Sequence, residues 1–524
     1  MTKGIDKYSI DSTDYTIGQD NVQKWGFDVH NSVFTISAGL ILLFLIAILV
    51  TDASTAKVAL DGVKNAIIDK FDVLFVLSGN LFVIFCLALI VSPFGKIRLG
   101  GDEAKAEHSY LSWLAMLFAA GMGIGLMFWS VAEPAAYYTD WFGTPLNVAA
   151  NTPEAAKMAL GATMYHWGLH PWAIYAVVAL SLAFFTYNKG LPLSIRSIFY
   201  PILGDRTWGW PGHIIDILAV LATLFGLATS LGFGAQQAAA GIGHVFGIDA
   251  GVGLQLIVIV GVTILTTISV IRGIDGGVKL ISNINMVVAF ILLMFIIVVC
   301  FNVVSVSIPE TIVSYVKNII PLSNPFGRED EAWMHGWTVF YWAWWMSWSP
   351  FVGMFIARVS RGRTVREFVT AVLLLPTIIT SVWMGAFGGV GIEQLTDKVG
   401  MLGQNGFSDV TMAMFQMFDA LPMSQIISCI AILLILVFFV SSSDSGSLVI
   451  DSITAGGKID SPVPQRIFWA VVQGAVAMAL LWVGGSDAIG ALQAAAVSTA
   501  LPFVFVLLIM CVSLILGMRT EPRK

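Results

Sequence analysis

Five of the twelve residues from Trp337 to Trp348 are tryptophan. At helical spacing Trp344 and Trp348 share a face, Trp345 lies about 100° round from Trp344, and Tyr341, one turn earlier, extends the same aromatic surface. Clustered aromatic faces suit a permanent cation. A quaternary ammonium has no N–H to donate and no proton to lose, so it is held by ring quadrupoles. The plainer reading of tryptophan near a helix end is an interfacial belt. A belt uses one or two such residues per end, and has no need of Ser347, Ser349 and Pro350 in the same run. The cage reading is preferred.

Three other stretches carry chemistry. Ser441-Ser442-Ser443-Asp444-Ser445 places hydroxyls and a carboxylate in an apolar segment, where polar groups are costly and usually serve a function; oxygen ligands suit a hard cation. Gly121, Gly123 and Gly125 stand at i, i+2 and i+4, each lowering helix stability by about 1 kcal/mol relative to alanine. An unwound segment there offers carbonyls to a cation and amides to a carboxylate, if protein buries it. Gly121 and Gly125 equally spell a GxxxG packing motif, so the glycines alone leave both readings open. The run Tyr165 to Tyr175 holds His166, Trp167, His170, Trp172 and Tyr175, with Trp172 and Tyr175 on one face. His166 and His170 have the i, i+4 spacing of a metal pair, but no Asp, Glu or Cys is in register, and a structural or interfacial role is expected. No Walker, HExxH or nucleophile-elbow sequence is present, and no enzymatic activity is expected.

The elements that must position these residues are apolar. The 524-residue chain is 57% hydrophobic and 11% charged, with mean hydropathy +0.84, against about 25% charged in soluble domains. This composition implies a polytopic membrane protein. Stretches long enough to span lie near 32–51, 73–94, 110–132, 166–187, 211–232, 252–270, 284–306, 335–357, 368–390, 424–446, 466–484 and 489–516. With the N-terminus inside, twenty of the 27 Lys and Arg fall on the inner side and seven outside, which supports twelve spans with both termini cytoplasmic. Residues 1–30 read as a polar, mobile cytoplasmic tail without a cleavable signal peptide, and 518–524 as a short cytoplasmic tail. Residues 309–322 suggest an amphipathic helix on the outer surface, its apolar residues being Ile312, Val313, Val316, Ile319 and Ile320. Residues 391–423 suggest a long external connection with helical character near Thr411–Phe418. The cysteines, Cys86, Cys300, Cys429 and Cys511, sit in apolar runs and suggest neither disulfide nor metal site.

The run from Phe340 to Phe368 closely resembles the signature of the betaine/choline/carnitine transporter family, and Gly121–Gly125 resembles that family's glycine stretch. The resemblance covers nearly the whole chain after residue 30. It implies an all-α protein of twelve transmembrane helices with a LeuT-like five-plus-five inverted repeat preceded by two extra N-terminal helices. The transporter domain would span 31–517, the first repeat about 110–306 and the second about 335–516. The glycine span and the tryptophan span, the two most irregular, would then hold equivalent positions as interrupted helices. The family's aromatic box would be Trp167, Trp172, Tyr175 and Trp345. The transport-site aromatics would be Trp344, Trp345 and Trp348, with Phe355 beside the path. Sodium would be bound by Ser441 and Ser442 with backbone oxygens of Ala119, Met122 and Phe438. A second sodium site would use Thr223 and Phe351, but the threonine expected one turn after Thr223 is Leu227 here. Asp444 is expected nearer Arg358 or a helix end than the substrate. Choline carriers coupled to protons have aspartate at the place of Gly125, so glycine favours a zwitterion with its own carboxylate.

The resemblance thus implies sodium-coupled import of a small zwitterionic onium solute, such as glycine betaine or a sulfonium analogue, across a bacterial inner membrane by alternating access. A proton-coupled choline or carnitine carrier is the alternative, and a channel or sensor a further one of another class. No cofactor is expected beyond the coupling ion. The implied partners are membrane lipid and a homotrimer, with no nucleic acid. The short C-terminal tail suggests uptake without strong osmotic gating.

Overall fold

The computed structural model describes the backbone of residues 13–121, 123–272 and 278–521, and side chains outside 118–122 and 272–282 among these. A β-hairpin, β1 (Asn21–Lys24) and β2 (Phe27–His30), precedes the helices. Trp25 and Gly26 both have positive φ (54° and 79°), the pattern of a tight two-residue hairpin turn. Then come α1 (Asn31–Val50), α2 (Ala53–Val91), α3 (Tyr110–Gly121), α4 (Ile124–Thr139), α5 (Pro153–Trp167), α6 (Leu169–Tyr187) and α7 (Trp210–Phe246). After these follow α8 (Val252–Arg272), α9 (Val278–Val299), α10 (Phe301–Ser323), α11 (Phe340–Val359), α12 (Val365–Asp397), α13 (Ser424–Thr454), α14 (Val463–Gly484) and α15 (Ala488–Met518). Among the described residues, nine helical stretches are long and apolar enough to cross a membrane.

Residues expected to be a tail are structured from residue 13 onward. Asp28 accepts from Asn21 Nδ2 (2.9 Å) and Lys458 Nζ (2.6 Å), and its amide donates to Gln465 Oε1 (2.8 Å). His30 is buried and takes Arg196 Nη1 at 3.2 Å, while Tyr15 stacks on Trp208 at 4.0 Å. The hairpin therefore bridges the start of α7 and the corner between α13 and α14.

The expected third span is broken, α3 ending at Gly121 and α4 beginning at Ile124 after an extended Gly123. The expected fourth span, 166–187, is essentially α6, and α5 before it meets it at Gly168. A Cβ at Gly168 would stand 2.6 Å from Met164 O and 2.7 Å from Tyr315 Oη, so only glycine lets α10 come this close.

The tryptophan helix departs from expectation. A π-helical turn, Met334–Val339, runs directly into α11, which continues without a break through Pro350. Proline removes the N–H that would bond Met346 O. Ser349 Oγ donates to that carbonyl instead at 2.7 Å, and the helix survives. Of the two spans expected to be interrupted, the glycine span is broken and the tryptophan helix is continuous.

A further boundary moves. The helix expected over 284–306 ends at Val299, and α10 runs from Phe301 to Ser323 with Pro309 inside it. Ile312, Val313, Val316 and Ile320 of α10 are exposed, whereas Ser307, Thr311 and Ser314 face the bundle. Ser314 Oγ donates to Lys157 O and Ser307 Oγ to Gly385 O (2.7 Å), tying α10 to α5 and α12 through small polar side chains. The connection after α12 carries short helices at Gly400–Asn405 and Ala413–Phe418, the second where the sequence suggested one.

Candidate functional site

The helix α11 packs along α6, α7 and α15, so its aromatic face is turned inward. Trp344 is 1% and Trp345 5% exposed, which excludes the interfacial belt for these two. An internal cavity is lined by Trp167, Trp172, Tyr175, Trp344, Trp345 and Trp348, with Gly123, Gly125, Leu126, Pro171 and Thr380. The rings meet at varied angles. Trp167 lies edge to face on Trp345 at 4.9 Å, Tyr175 edge to face on Trp345 at 6.2 Å, and Trp344 stacks on Trp345 at 4.6 Å. Trp172 and Tyr175 meet at 5.5 Å.

Four of the five indole N–H groups around the cavity are tied into the protein. Trp167 Nε1 donates to Glu133 Oε2 (2.7 Å), Trp344 Nε1 to Ser230 Oγ (3.1 Å), Trp345 Nε1 to His166 O (2.9 Å) and Trp348 Nε1 to Gly226 O (3.0 Å). Each bond satisfies a buried donor and fixes its ring. What lines the cavity is mostly apolar, much of it ring carbon, the surface a quadrupole offers to a cation.

The glycine segment closes one wall. A Cβ at Gly125 would lie 2.7 Å from Trp167 Cη2 and 3.0 Å from Trp344 Cη2. Any side chain there would have to move two of the cage rings.

The other expected residues are distributed as follows. Phe355 is 38% exposed and is not among the residues lining the cavity. Phe438, Ser441 and Ser442 share one turn of α13, and Ser441 Oγ donates to Phe438 O at 3.1 Å. Met122, their expected partner, lies outside the described residues, and of Ala119 and Gly121 only the helical backbone is described. Thr223 is buried and donates to Ala219 O at 2.6 Å, while Phe351 packs edge-on against Trp348 at 5.4 Å. Leu227 packs against Gly446 of α13, filling with methyl groups the place of the hydroxyl that a second ion site would use. Asp444 does not pair with Arg358; the cation that acts on it is Arg466.

The histidines are not a metal pair. His166 Nδ1 meets Glu133 Oε1 at 2.9 Å and its Nε2 meets Thr338 Oγ1 at 2.9 Å. His170 Nε2 meets Asn80 Oδ1 at 3.1 Å, and its ring stacks on Trp342 at 5.0 Å. The break at Gly168 separates them.

Sequence reasoning gave no role to Glu133, Ser230 or Gly226. Glu133 had an available signal, since a carboxylate inside an apolar helix is rare and usually functional. Ser230 and Gly226 had none, because what matters about them is their distance from α11.

Beyond the cage, towards the end of the bundle away from the hairpin, a vestibule of about 920 Å³ opens. Its lining includes Trp129, Trp141, Trp337, Gln236, Asp409 and Asp487. Trp337 stacks on Tyr341 at 6.4 Å, so one aromatic layer separates the vestibule from the cage.

Helices of membrane-spanning length around an aromatic chamber with a wide approach on one side define a polytopic membrane protein of the carrier class. The model of the betaine/carnitine/choline family transporters matches residues 32–523. A glycine betaine transporter of Vibrio parahaemolyticus is 74% identical over 99% of this chain and 100% of its own length. A glycine betaine/proline/choline/ectoine transporter from the same organism is 64% identical over 99% of this chain and 93% of its own. A glycine betaine transporter of Acinetobacter baylyi is 41% identical over 95% and 74%. Among solved structures, a mutant of an Eremococcus coleocola manganese transporter aligns over 79% of this chain and 87% of its own, with 12% identity and a TM-score of 0.41. The chain belongs to the betaine/carnitine/choline transporter family. It is a multi-pass membrane transporter and not an enzyme.

Proposed function

We propose that this protein imports a quaternary-ammonium or sulfonium zwitterion of the glycine betaine type across the bacterial inner membrane, driven by sodium. The observation that carries the reading is the cage. Four indole N–H groups are bonded away from the cavity, leaving ring faces around it. A proton-donating substrate head would find few acceptors there; a methylated onium needs none. The names of the relatives support the same solute class, and the broader range in one of those names fits a chamber that reads charge and size more than hydrogen bonds.

In this reading the onium sits among Trp167, Trp172, Tyr175, Trp344, Trp345 and Trp348. Its carboxylate meets the amides of the Gly121–Gly125 break. Sodium would be held by Ser441, Ser442 and the Phe438 carbonyl with backbone oxygens of α3 and the break, including Ala119 and Met122. The ion would supply the charge that makes opening to one side conditional on loading. A second ion at Thr223 and Phe351 would lack the hydroxyl that Leu227 replaces. The architecture is read as twelve spans, two followed by a five-plus-five inverted repeat within 31–517. Both termini would be cytoplasmic, the vestibule external and the assembly trimeric. Transport proceeds by alternating access about the cage.

Radiolabelled glycine betaine uptake into proteoliposomes, under an imposed inward sodium gradient and then a proton gradient, tests this. Unlabelled choline, carnitine and a sulfonium zwitterion serve as competitors. Uptake with sodium alone is expected. Uptake driven only by protons would overturn the coupling and leave the substrate class standing.

A further inference from the structure

Glu133 is fully buried and lies directly behind the cage. Its Oε1 meets Tyr137 Oη at 2.8 Å and His166 Nδ1 at 2.9 Å. Its Oε2 accepts from Trp167 Nε1 at 2.7 Å and from Tyr341 Oη. Four donors converging on two oxygens suit a carboxylate, which only accepts. Among the described residues no lysine or arginine pairs with it, and Arg328, a short way off, is bound to Asp330 (2.6 Å). The neutral Nδ1–H tautomer of His166 satisfies every contact of the ring, with Nδ1–H donating to Glu133 and Nε2 accepting from the Thr338 hydroxyl at 2.9 Å. The protein thus buries a negative charge and provides no fixed cation for it, an arrangement that is costly unless a cation arrives.

Of the four donors, Trp167 lines the chamber and Tyr341 packs against two of its rings. The N–H edge of Trp167 is on Glu133, while its far edge, at Cη2, faces Gly125 and the cavity. Tyr341 lies 28° from parallel to Trp345 at 5.8 Å and edge to face on Trp167 at 5.7 Å. An indole or phenol that donates to a carboxylate is polarised towards a more negative ring. An aromatic layer that excludes water also screens the charge behind it poorly.

We propose that Glu133 is a positioning residue and the fixed counter-charge of the substrate's onium head, acting through Trp167 and Tyr341 without touching the solute. The inference rests on the onium-transport reading and adds to it the group that gives the chamber its charge preference. The competing account is a latch, in which Glu133 only ties α4, α5 and α11 together. A latch affects every ligand of the same shape alike, whereas a counter-charge does not.

The test measures equilibrium binding of radiolabelled glycine betaine to the purified full-length protein, with 3,3-dimethylbutanoate as competitor. That anion has the shape and carboxylate of glycine betaine with a quaternary carbon in place of the nitrogen. The preference for betaine over the carbon analogue is expected to fall about tenfold in Glu133→Gln, or about 1.4 kcal/mol. Tyr341→Phe keeps the ring, removes one donor and is expected to lower the preference about threefold, with no further loss on the Glu133→Gln background. Equal weakening for both ligands, or an unchanged preference, would overturn the counter-charge. If Glu133→Gln does not fold, an unchanged preference in Tyr341→Phe does so by itself. A wild-type protein that bound no onium solute would overturn the transport reading and this inference with it. Normal wild-type binding with an unaltered Glu133→Gln preference overturns this inference alone.

Discussion

Trp345 touches Trp167, Tyr175, Trp344 and Tyr341, and its N–H is committed to His166 O. Replacing it with leucine removes the central face and leaves its neighbours without support. A desolvated cation–π contact is worth about 2 kcal/mol or more, so Trp345→Leu is expected to weaken glycine betaine uptake at least about thirtyfold at unchanged membrane abundance. Near-normal uptake would sink the cage. Gly125 gives a finer probe. Its missing side chain is what lets Trp167 and Trp344 meet the glycine backbone, and the first carbon added would lie 2.7 Å from one ring. Gly125→Ala is expected to raise the KM for glycine betaine about tenfold by displacing these rings, with intrinsic tryptophan fluorescence reporting the displacement. A KM within twofold of wild type would mean that the rings yield without consequence.

At the scale of elements, three local devices hold the site: the break at Gly123, the junction at Gly168 and the serine that repairs α11 at Pro350. The N-terminal hairpin is a fourth and acts at a distance from the cage. Burial, the neighbouring Arg196 guanidinium and the ring of His213 push His30 down to about 3 from its usual value near 6.5. A docked ring that resists protonation contributes stability in full above pH 6.5. The contribution is lost as pH falls from 6.5 towards 3, because the undocked ring takes a proton first. Asp28 is shifted down as well, the usual direction for a paired carboxylate. Burial would raise it, but the bonds from Lys458 and Asn21 outweigh this and hold it low, so its contribution stays constant above about pH 4. Hydrogen-exchange protection of the amides from Val22 to Val29 is therefore expected to fall between pH 7 and 5, by at most about tenfold per pH unit. In His30→Gln it should be flat over that range. A flat profile in the wild type would mean that the hairpin does not undock as a unit.

At the scale of the molecule, the proposed coupling requires one ion to bridge α13 and the break between α3 and α4. Ser441→Ala together with Ser442→Ala should raise the sodium concentration for half-maximal uptake by about tenfold or more, since losing even outer partners of a bound metal costs that much. The maximal rate at saturating sodium should change less. An unaltered sodium curve would remove this turn of α13 from the ion site. The same pair of variants separates coupling from recognition, because the cage rings do not contact these serines through any bond described above.

Much of this was legible in the chain. Tryptophan density and helical spacing marked α11, apolar length marked the spans, and three spaced glycines left a break and a packing motif equally open in the third. These signals are local: periodicity, propensity and the cost of burying a type of residue. The π turn before α11, the extension of α10 through Pro309 and the rescue of Pro350 by Ser349 were not legible, since each depends on which neighbour fills a freed backbone group. The roles of Ser230 and Gly226 were equally hidden. The family resemblance supplied Trp167, Trp172 and Tyr175, which spacing alone left as a belt. By itself, then, the sequence determined a membrane chain with an aromatic helix and a weak point in an earlier one. Only the tertiary structure decided that four indole N–H groups are bonded away from a shared cavity and that Glu133 stands behind it. Hydrogen bonds between helices far apart in the chain fix both, and no periodicity within one helix encodes them.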